Sequence, residues 1–186
     1  MRLNLARTLP RSAANGPGER FVVWVQGCPL ACHGCWNPDT WLFTRREVRE
    51  VADLVNEVLG TPGIEGVTFT GGEPFAQARA LAQVGRAVRA AGLSVFVFSG
   101  YDLGELTKDA HRSLLAVTDV LVAGRYADAE RIEGLPWRGS SSQRLHFLTN
   151  RYSEEDAVQA AAIEVHVRAD GSLLLTGFPT AVLMAE

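Results

Sequence analysis

Cys28, Cys32 and Cys35 are the only cysteines of the sequence, and they fall within eight positions in the pattern C-x3-C-x2-C. A lone buried cysteine behaves as a small apolar side chain. Three thiols at this spacing, at the exit of the apolar run Phe21 to Gln26, instead suit a thiolate-seeking metal centre. A closed cluster of four irons takes four thiolates, one per iron. Three cysteines leave one iron without a protein ligand, much as catalytic metal sites keep one position vacant. The alternative is a Cys3His zinc site completed by His33. That histidine lies between two of the cysteines, whereas structural zinc sites join two separated ligand pairs. Spacing favours the cluster.

Such ligands need a scaffold, and the chain alternates its elements regularly. Phe21 to Gln26 is a β-rich apolar run of the kind that forms a fully buried strand. Thr44 and Glu47 have the spacing of a capping box, and Val48, Val51, Leu54, Val55, Val58 and Leu59 follow at helical period until Gly60 and Pro62 stop it. Gly66 to Thr70 predicts a second strand, ending in Gly71-Gly72-Glu73-Pro74. A helix from about Gln77 to Ala91 follows, then a strand from Leu93 to Phe98 ending at Ser99-Gly100-Tyr101. A weaker helix from Leu103 to Leu115 and a strand from Val117 to Val122 complete the series. Strands alternating with helices predict βα units and a parallel sheet, whose reactive loops sit at the C-terminal strand ends. Each unusual loop falls at such an end.

The flanks are less regular. Residues 1 to 20 read as an N-terminal arm, a short strand near Leu3 to Leu5 followed by loop around Pro10, Gly16, Pro17 and Gly18. Residues 21 to 122 form the βα core. Residues 123 to 186 comprise an irregular, Ser- and Gly-rich segment, a strand from Leu145 to Leu148, and a hairpin turning at Asp170-Gly171. The expectation is a single α/β domain spanning 1 to 186.

Composition excludes several function classes. With 186 residues, 47% of them apolar and 21% charged, the chain is long enough for a real core. Its net charge of −3 gives no argument for nucleic acid or membrane binding. No apolar stretch approaches the ~18 residues of a spanning helix. Arg2, Arg7 and Arg11 interrupt any secretory pattern, and three clustered cysteines make a poor disulfide framework. A soluble, reduced, cytoplasmic protein is expected.

The triplet followed by the aromatic Trp36, with Gly71-Gly72-Glu73-Pro74 at the end of the next strand, resembles the signature of the radical S-adenosylmethionine (SAM) superfamily. Closer likeness is to the small activating enzymes of glycyl-radical proteins, of the anaerobic ribonucleotide reductase activase type. It is carried by Asn15-Gly16-Pro17-Gly18-Glu19-Arg20, Trp36 to Trp41, Thr68 to Phe75 with Gln77, Ser99-Gly100-Tyr101 with Glu105-Leu106, Arg138 to Arg144 and Thr176-Gly177-Phe178-Pro179. Ala123 departs from the acidic residue that such activases often carry before the corresponding glycine, and the segment near Asp128 to Pro136 is expanded.

The resemblance implies a partial (β/α) barrel with its active site at the C-terminal strand ends. It implies a [4Fe-4S] cluster on Cys28, Cys32 and Cys35, and SAM chelating the open iron. Cofactor contacts carry over to Gly34, Trp36, Gly71, Gly72, Glu73, Pro74, Ser99 and Arg125. Glycines suit close approach of backbone to the methionyl ammonium, where a Cβ would obstruct. The implied chemistry is reductive cleavage of SAM to a 5′-deoxyadenosyl radical, which abstracts hydrogen from a glycyl-radical enzyme. An electron donor such as flavodoxin or ferredoxin would supply the electron. No side chain is needed as a general base, so His33, His111, His146 and His166 are expected to be structural. Competing readings are the same core modifying a small molecule or peptide, and a metal-stabilised binding module without turnover.

Overall fold

The computed structural model describes residues 1–158, 163–167 and 170–178. In chain order its elements are β1 (Arg2–Ser12), β2 (Arg20–Val25), β3 (Glu47–Glu50), α1 (Val51–Gly60), β4 (Gly66–Gly71), α2 (Ala78–Ala90), β5 (Ser94–Ser99), α3 (Asp109–Leu115), β6 (Val120–Ala123), β7 (Arg144–Phe147), α4 (Glu154–Val158), β8 (Ile163–Val167) and β9 (Leu173–Gly177). Seven strands make one mixed sheet in the order β3-β1-β2-β4-β5-β6-β7. Its centre, β2-β4-β5-β6, is parallel, and β3, β1 and β7 join antiparallel at the edges. The expected α/β class and parallel core are both present.

Every residue of β2 is buried, as a strand covered on both faces requires. Alternation divides the residues between those faces. Phe21, Val23, Val25, Phe69, Val97 and Leu121 pack with Leu54 and Val58 of α1 and Leu81, Val84 and Val88 of α2. On the opposite face Phe96, Val120 and Val122 pack with Trp137, Phe98 and Tyr152. The irregular segment after β6 therefore covers the inner face of the sheet. Trp137 is 1% exposed and lies edge-on to Phe96 at 5.2 Å.

The antiparallel edge corrects the reading of the N-terminal arm. Residues read as loop form the eleven-residue β1, paired on both sides. Pro10 lies where the register with β2 shifts between Leu9 and Ser12, so its missing amide is tolerated. The Thr44–Glu47 capping box is not used. Glu47–Glu50 pairs with β1 and α1 starts at Val51, with no side-chain cap. Tertiary pairing outweighs a local cap here, helped by the Arg2–Glu50 ion pair at 2.6 Å. The Leu103–Leu115 helix splits into a 3-10 turn at Leu103–Glu105, closed by an Asp102–Glu105 capping box, and α3. The amides of Val117 and Thr118 still donate to the carbonyls of Leu114 and Leu115, so the fourth core strand begins only at Val120.

At the N-terminal strand ends the inner face holds a buried cation. Arg20 is 0% exposed and donates to Thr68 Oγ1, Ser94 Oγ and the carbonyls of Pro17, Val67 and Ser94. Burial lowers its pKa. These bonds knit the Gly16-Pro17-Gly18 turn to β2, β4 and β5. Arg20→Met keeps the apolar stem but strands those acceptors, and hydrogen bonds to charged groups are worth ~1.5–3 kcal/mol each. A loss of at least ~3 kcal/mol in unfolding free energy is expected, measured by chemical denaturation.

Candidate functional site

The cysteine loop is a closed excursion from the end of β2. At its base the amides of Gly27 and Cys28 donate to the carbonyls of Thr40 and Trp41, at 2.8 and 2.9 Å. Within it each sulfur meets backbone N–H groups. Leu30 and Ala31 donate to Cys28, and Tyr126, from the segment after β6, donates to Cys32. Asn37 donates to Cys35 Sγ at 3.4 Å. Burial nevertheless pushes the Cys28 and Cys32 thiols up. Apolar surroundings disfavour bare thiolates, and binding of a metal centre displaces the protons.

The Gly-Gly-Glu-Pro loop at the end of β4 is stitched to this excursion. Gly72 N–H donates to Val25 O at 2.8 Å, and Glu73 N–H to Gly27 O at 2.9 Å. A Cβ at Gly72 would fall 2.4 Å from Gly27 O, so only glycine permits the approach. Glu73 is 1% exposed. Its carboxylate accepts from Phe75 N–H at 2.8 Å, Ser99 Oγ–H at 3.1 Å and Gly100 N–H at 2.9 Å. Burial pushes this carboxyl up to about 7, against the lowering effect of the Phe75 and Gly100 amides, the Ser99 hydroxyl and Arg125.

Cys28, Cys32, Cys35, Trp36, Gly71, Gly72, Glu73 and Ser99 all line one cavity at the C-terminal ends of the parallel strands. Three other expected contacts do not line it. Gly34 is an exposed turn glycine at φ +70° against Asp128. Pro74 is buried at the start of the 3-10 turn after Glu73. Arg125 pairs with both oxygens of Glu105, at 2.7 and 3.0 Å, over the Tyr101 ring. His33 is 93% exposed with Nδ1 3.8 Å from Asp128, away from the role a Cys3His zinc site would give it. Among the described residues, no three His, Cys, Asp or Glu side chains converge on a single ion position.

The wall also contains residues that the motifs did not point to, among them Arg7 and Trp24 from β1 and β2, and Leu175. Asn15 and Gln143, which line it too, come from the quoted stretches around Gly16 and Arg138 to Arg144. Of the tail quoted above, Thr176, Gly177 and Phe178 join the wall, Phe178 against Trp36 at 5.2 Å; Pro179 lies outside the described residues. Trp41 lines the cavity too, and its indole N–H is buried without a partner. Three soft sulfur donors, glycines at close approach and an orphaned N–H fit an iron–sulfur cluster with a polar co-ligand.

Residues 14–146 match the family described as a 4Fe-4S single cluster domain. With the cysteine triplet and the GGEP loop on one cavity, this places the chain in the class of single-cluster 4Fe-4S proteins. The anaerobic ribonucleoside-triphosphate reductase-activating protein of Vibrio cholerae is 33% identical over 79% of this chain and 99% of its own length. The protein of that name from phage T4 is 33% identical over 83% of this chain and 100% of its own length. A solved structure, QueE from Escherichia coli, shares 22% identity over 54% of this chain and 53% of its own, with a TM-score of 0.43. The chain belongs to the family of anaerobic ribonucleoside-triphosphate reductase-activating proteins.

Glu73 also sets a pH dependence. Its native pKa of about 7 lies above the ordinary carboxyl value of 4.5, so the native state holds the proton that the unfolded chain releases. The stabilisation is complete below pH 4.5 and is lost as pH rises through 7. Relative to Glu73→Gln, the unfolding free energy of the wild-type chain should fall by up to ~3 kcal/mol between pH 4 and pH 8. Parallel denaturant titrations of the metal-free proteins check the slope.

Proposed function

We propose that the chain installs a glycyl radical on an anaerobic ribonucleotide reductase, using SAM and a 4Fe-4S cluster held by Cys28, Cys32 and Cys35. The observation that carries this reading is the meeting of the three thiols and the GGEP loop on one cavity at the C-terminal strand ends. The name that these relatives carry supports the choice of protein substrate. When bound, the cluster and SAM supply one-electron cleavage of a carbon–sulfur bond and hydrogen abstraction.

The residues have separable tasks. The cysteines would hold three irons, and their amide donors would stabilise negative charge on sulfur. Gly71 and Gly72 let backbone approach the methionyl end of SAM. Glu73 has about four lone-pair sites and uses three on Phe75, Ser99 and Gly100, leaving one for the ligand's ammonium. Trp36, Tyr126 and Phe178 form an apolar wall that excludes water from the reacting centre. Ser99 acts through Glu73, and Arg125 acts by bracing the loop after β6 against Glu105.

The finer architecture belongs to the same proposal: a single domain over 1 to 186 in which the sheet forms a partial barrel, open enough to admit a loop of another protein. A flavodoxin or ferredoxin serves as reductant, in the cytoplasm. No helix among the described residues is long and apolar enough to cross a membrane.

Reduced protein, SAM and the reductase, mixed without oxygen, should give a glycine-centred doublet in electron spin resonance. Cys32→Ala should lose the cluster, 5′-deoxyadenosine release and the doublet together. SAM cleavage without a doublet would turn the reading to a small-molecule or peptide substrate. Full activity in Cys32→Ala would sink radical chemistry at this site.

A further inference from the structure

Arg7 stands in β1, far in sequence from the cysteines, yet it lines their cavity. Its guanidinium lies over the Trp24 ring at 4.9 Å. Nη2 donates to Asn37 Oδ1 at 2.6 Å and Nη1 to Asp39 Oδ2 at 3.0 Å. Both acceptors belong to the turn that follows the third cysteine. The backbone amide of Asn37 donates to Cys35 Sγ, and its carbonyl accepts from Thr40 N–H and Oγ1–H. One side chain thus grips the residue whose amide caps the third sulfur.

We propose that Arg7 is a positioning residue for the third cluster ligand, holding the Asn37 amide on the Cys35 sulfur and placing positive charge beside the cavity. Asp39 is shared with Arg46 at 3.5 Å, so this trio of charges carries one net positive charge. Net charge and hydrogen bonds to sulfur set the reduction potential of an iron–sulfur cluster. Reduction adds an electron, so a nearby cation and a fixed N–H···S bond both favour the reduced state. Arg7 therefore makes the cluster easier to reduce while touching neither iron nor sulfur.

The proposal rests on the cluster reading above, and its test separates the two. Wild type, Arg7→Gln and Arg7→Lys are reconstituted without oxygen, assayed for bound iron and sulfide, and titrated spectroelectrochemically. Arg7→Gln should load a full cluster whose reduction equilibrium constant is at least tenfold lower, 59 mV for one electron. Arg7→Lys keeps the charge but cannot span Asn37 and Asp39 with a rigid fork, and should recover part of the shift. If Arg7→Gln takes up no iron, a loaded Arg7→Lys with a lowered potential supports the proposal. A loaded variant with wild-type potential overturns it, as does failure of both variants to load, which would make Arg7 a scaffold residue only. Failure of the wild-type chain to bind a cluster would overturn the cluster reading itself, and the proposal with it.

Discussion

The site depends on one residue that ties the end of its own strand to the ends of two others. Glu73 donates its backbone N–H to Gly27, at the end of β2, and its carboxylate accepts from Ser99 and Gly100, at the end of β5. Glu73 itself sits at the end of β4. Without this bracket the Gly72–Val25 bond would still join the glycine pair to the base of the cysteine loop, but the Ser-Gly-Tyr turn would lose its hydrogen bonds to Glu73. The arrangement costs burial of a carboxyl group, tolerable because three donors face it. It also forces the composition around it. Gly72 must lack a Cβ to reach Gly27, and a Cβ at Gly100 would meet Leu30 of the cysteine loop at 2.4 Å.

The inner face of the sheet is graded from one end to the other. At the N-terminal strand ends it is polar, organised by the buried Arg20. Across the middle it is apolar, where Phe96, Val120 and Val122 meet Trp137. At the C-terminal ends it opens into the cavity. The irregular segment after β6 serves the last two zones at once. Trp137 seals the middle, at a strained φ of +52°, and Tyr126 turns its amide to the Cys32 sulfur. Ser140 is fully buried, its hydroxyl accepting from the Ala127 amide. A stretch whose composition suits a surface loop is therefore part of the cofactor wall.

What the sequence made legible follows the strength of each local signal. β2, β5 and β6 are nearly unbroken apolar runs, and β4 alternates apolar residues with threonine. β2, β4 and β5 each end at a loop of unusual composition, so the parallel core and its reactive edge could be read directly. Of the residues expected at the site, the three cysteines, Trp36, Gly71, Gly72, Glu73 and Ser99 line the cavity, each at the last position of a core strand or in the loop that follows it. The misses have a common cause. β1 carries Arg7, Pro10 and Arg11, and is specified by its neighbours on both sides rather than by its own pattern. Arg7 was hidden with it. The Thr44 cap failed because Glu47–Glu50 gained a partner strand, and no local rule weighs such pairing. Gly34 and Arg125 adjoin motif positions in sequence, but turn geometry and the Glu105 carboxylate direct them elsewhere.

The charges of the site balance only when something cationic is present. Three cysteine ligands become thiolates on binding metal, and Glu73 adds a carboxyl poised near neutrality. Opposite them the described cavity wall offers one cation, Arg7, itself engaged by Asp39. Burial raises the pKa of Cys28 and Cys32, and the proximity of Cys35 to each raises it further. The amides of Leu30, Ala31 and Tyr126 act in the other direction. Those donors are placed as they would be needed with metal bound, where they temper charge on sulfur rather than create it. Without metal, burial thus favours the protonated thiols of Cys28 and Cys32, while the amides are shaped for the ionised state. That combination suits three cysteines gathered in a cavity whose wall mixes aromatic side chains with Arg7, Asn37, Glu73 and Ser99.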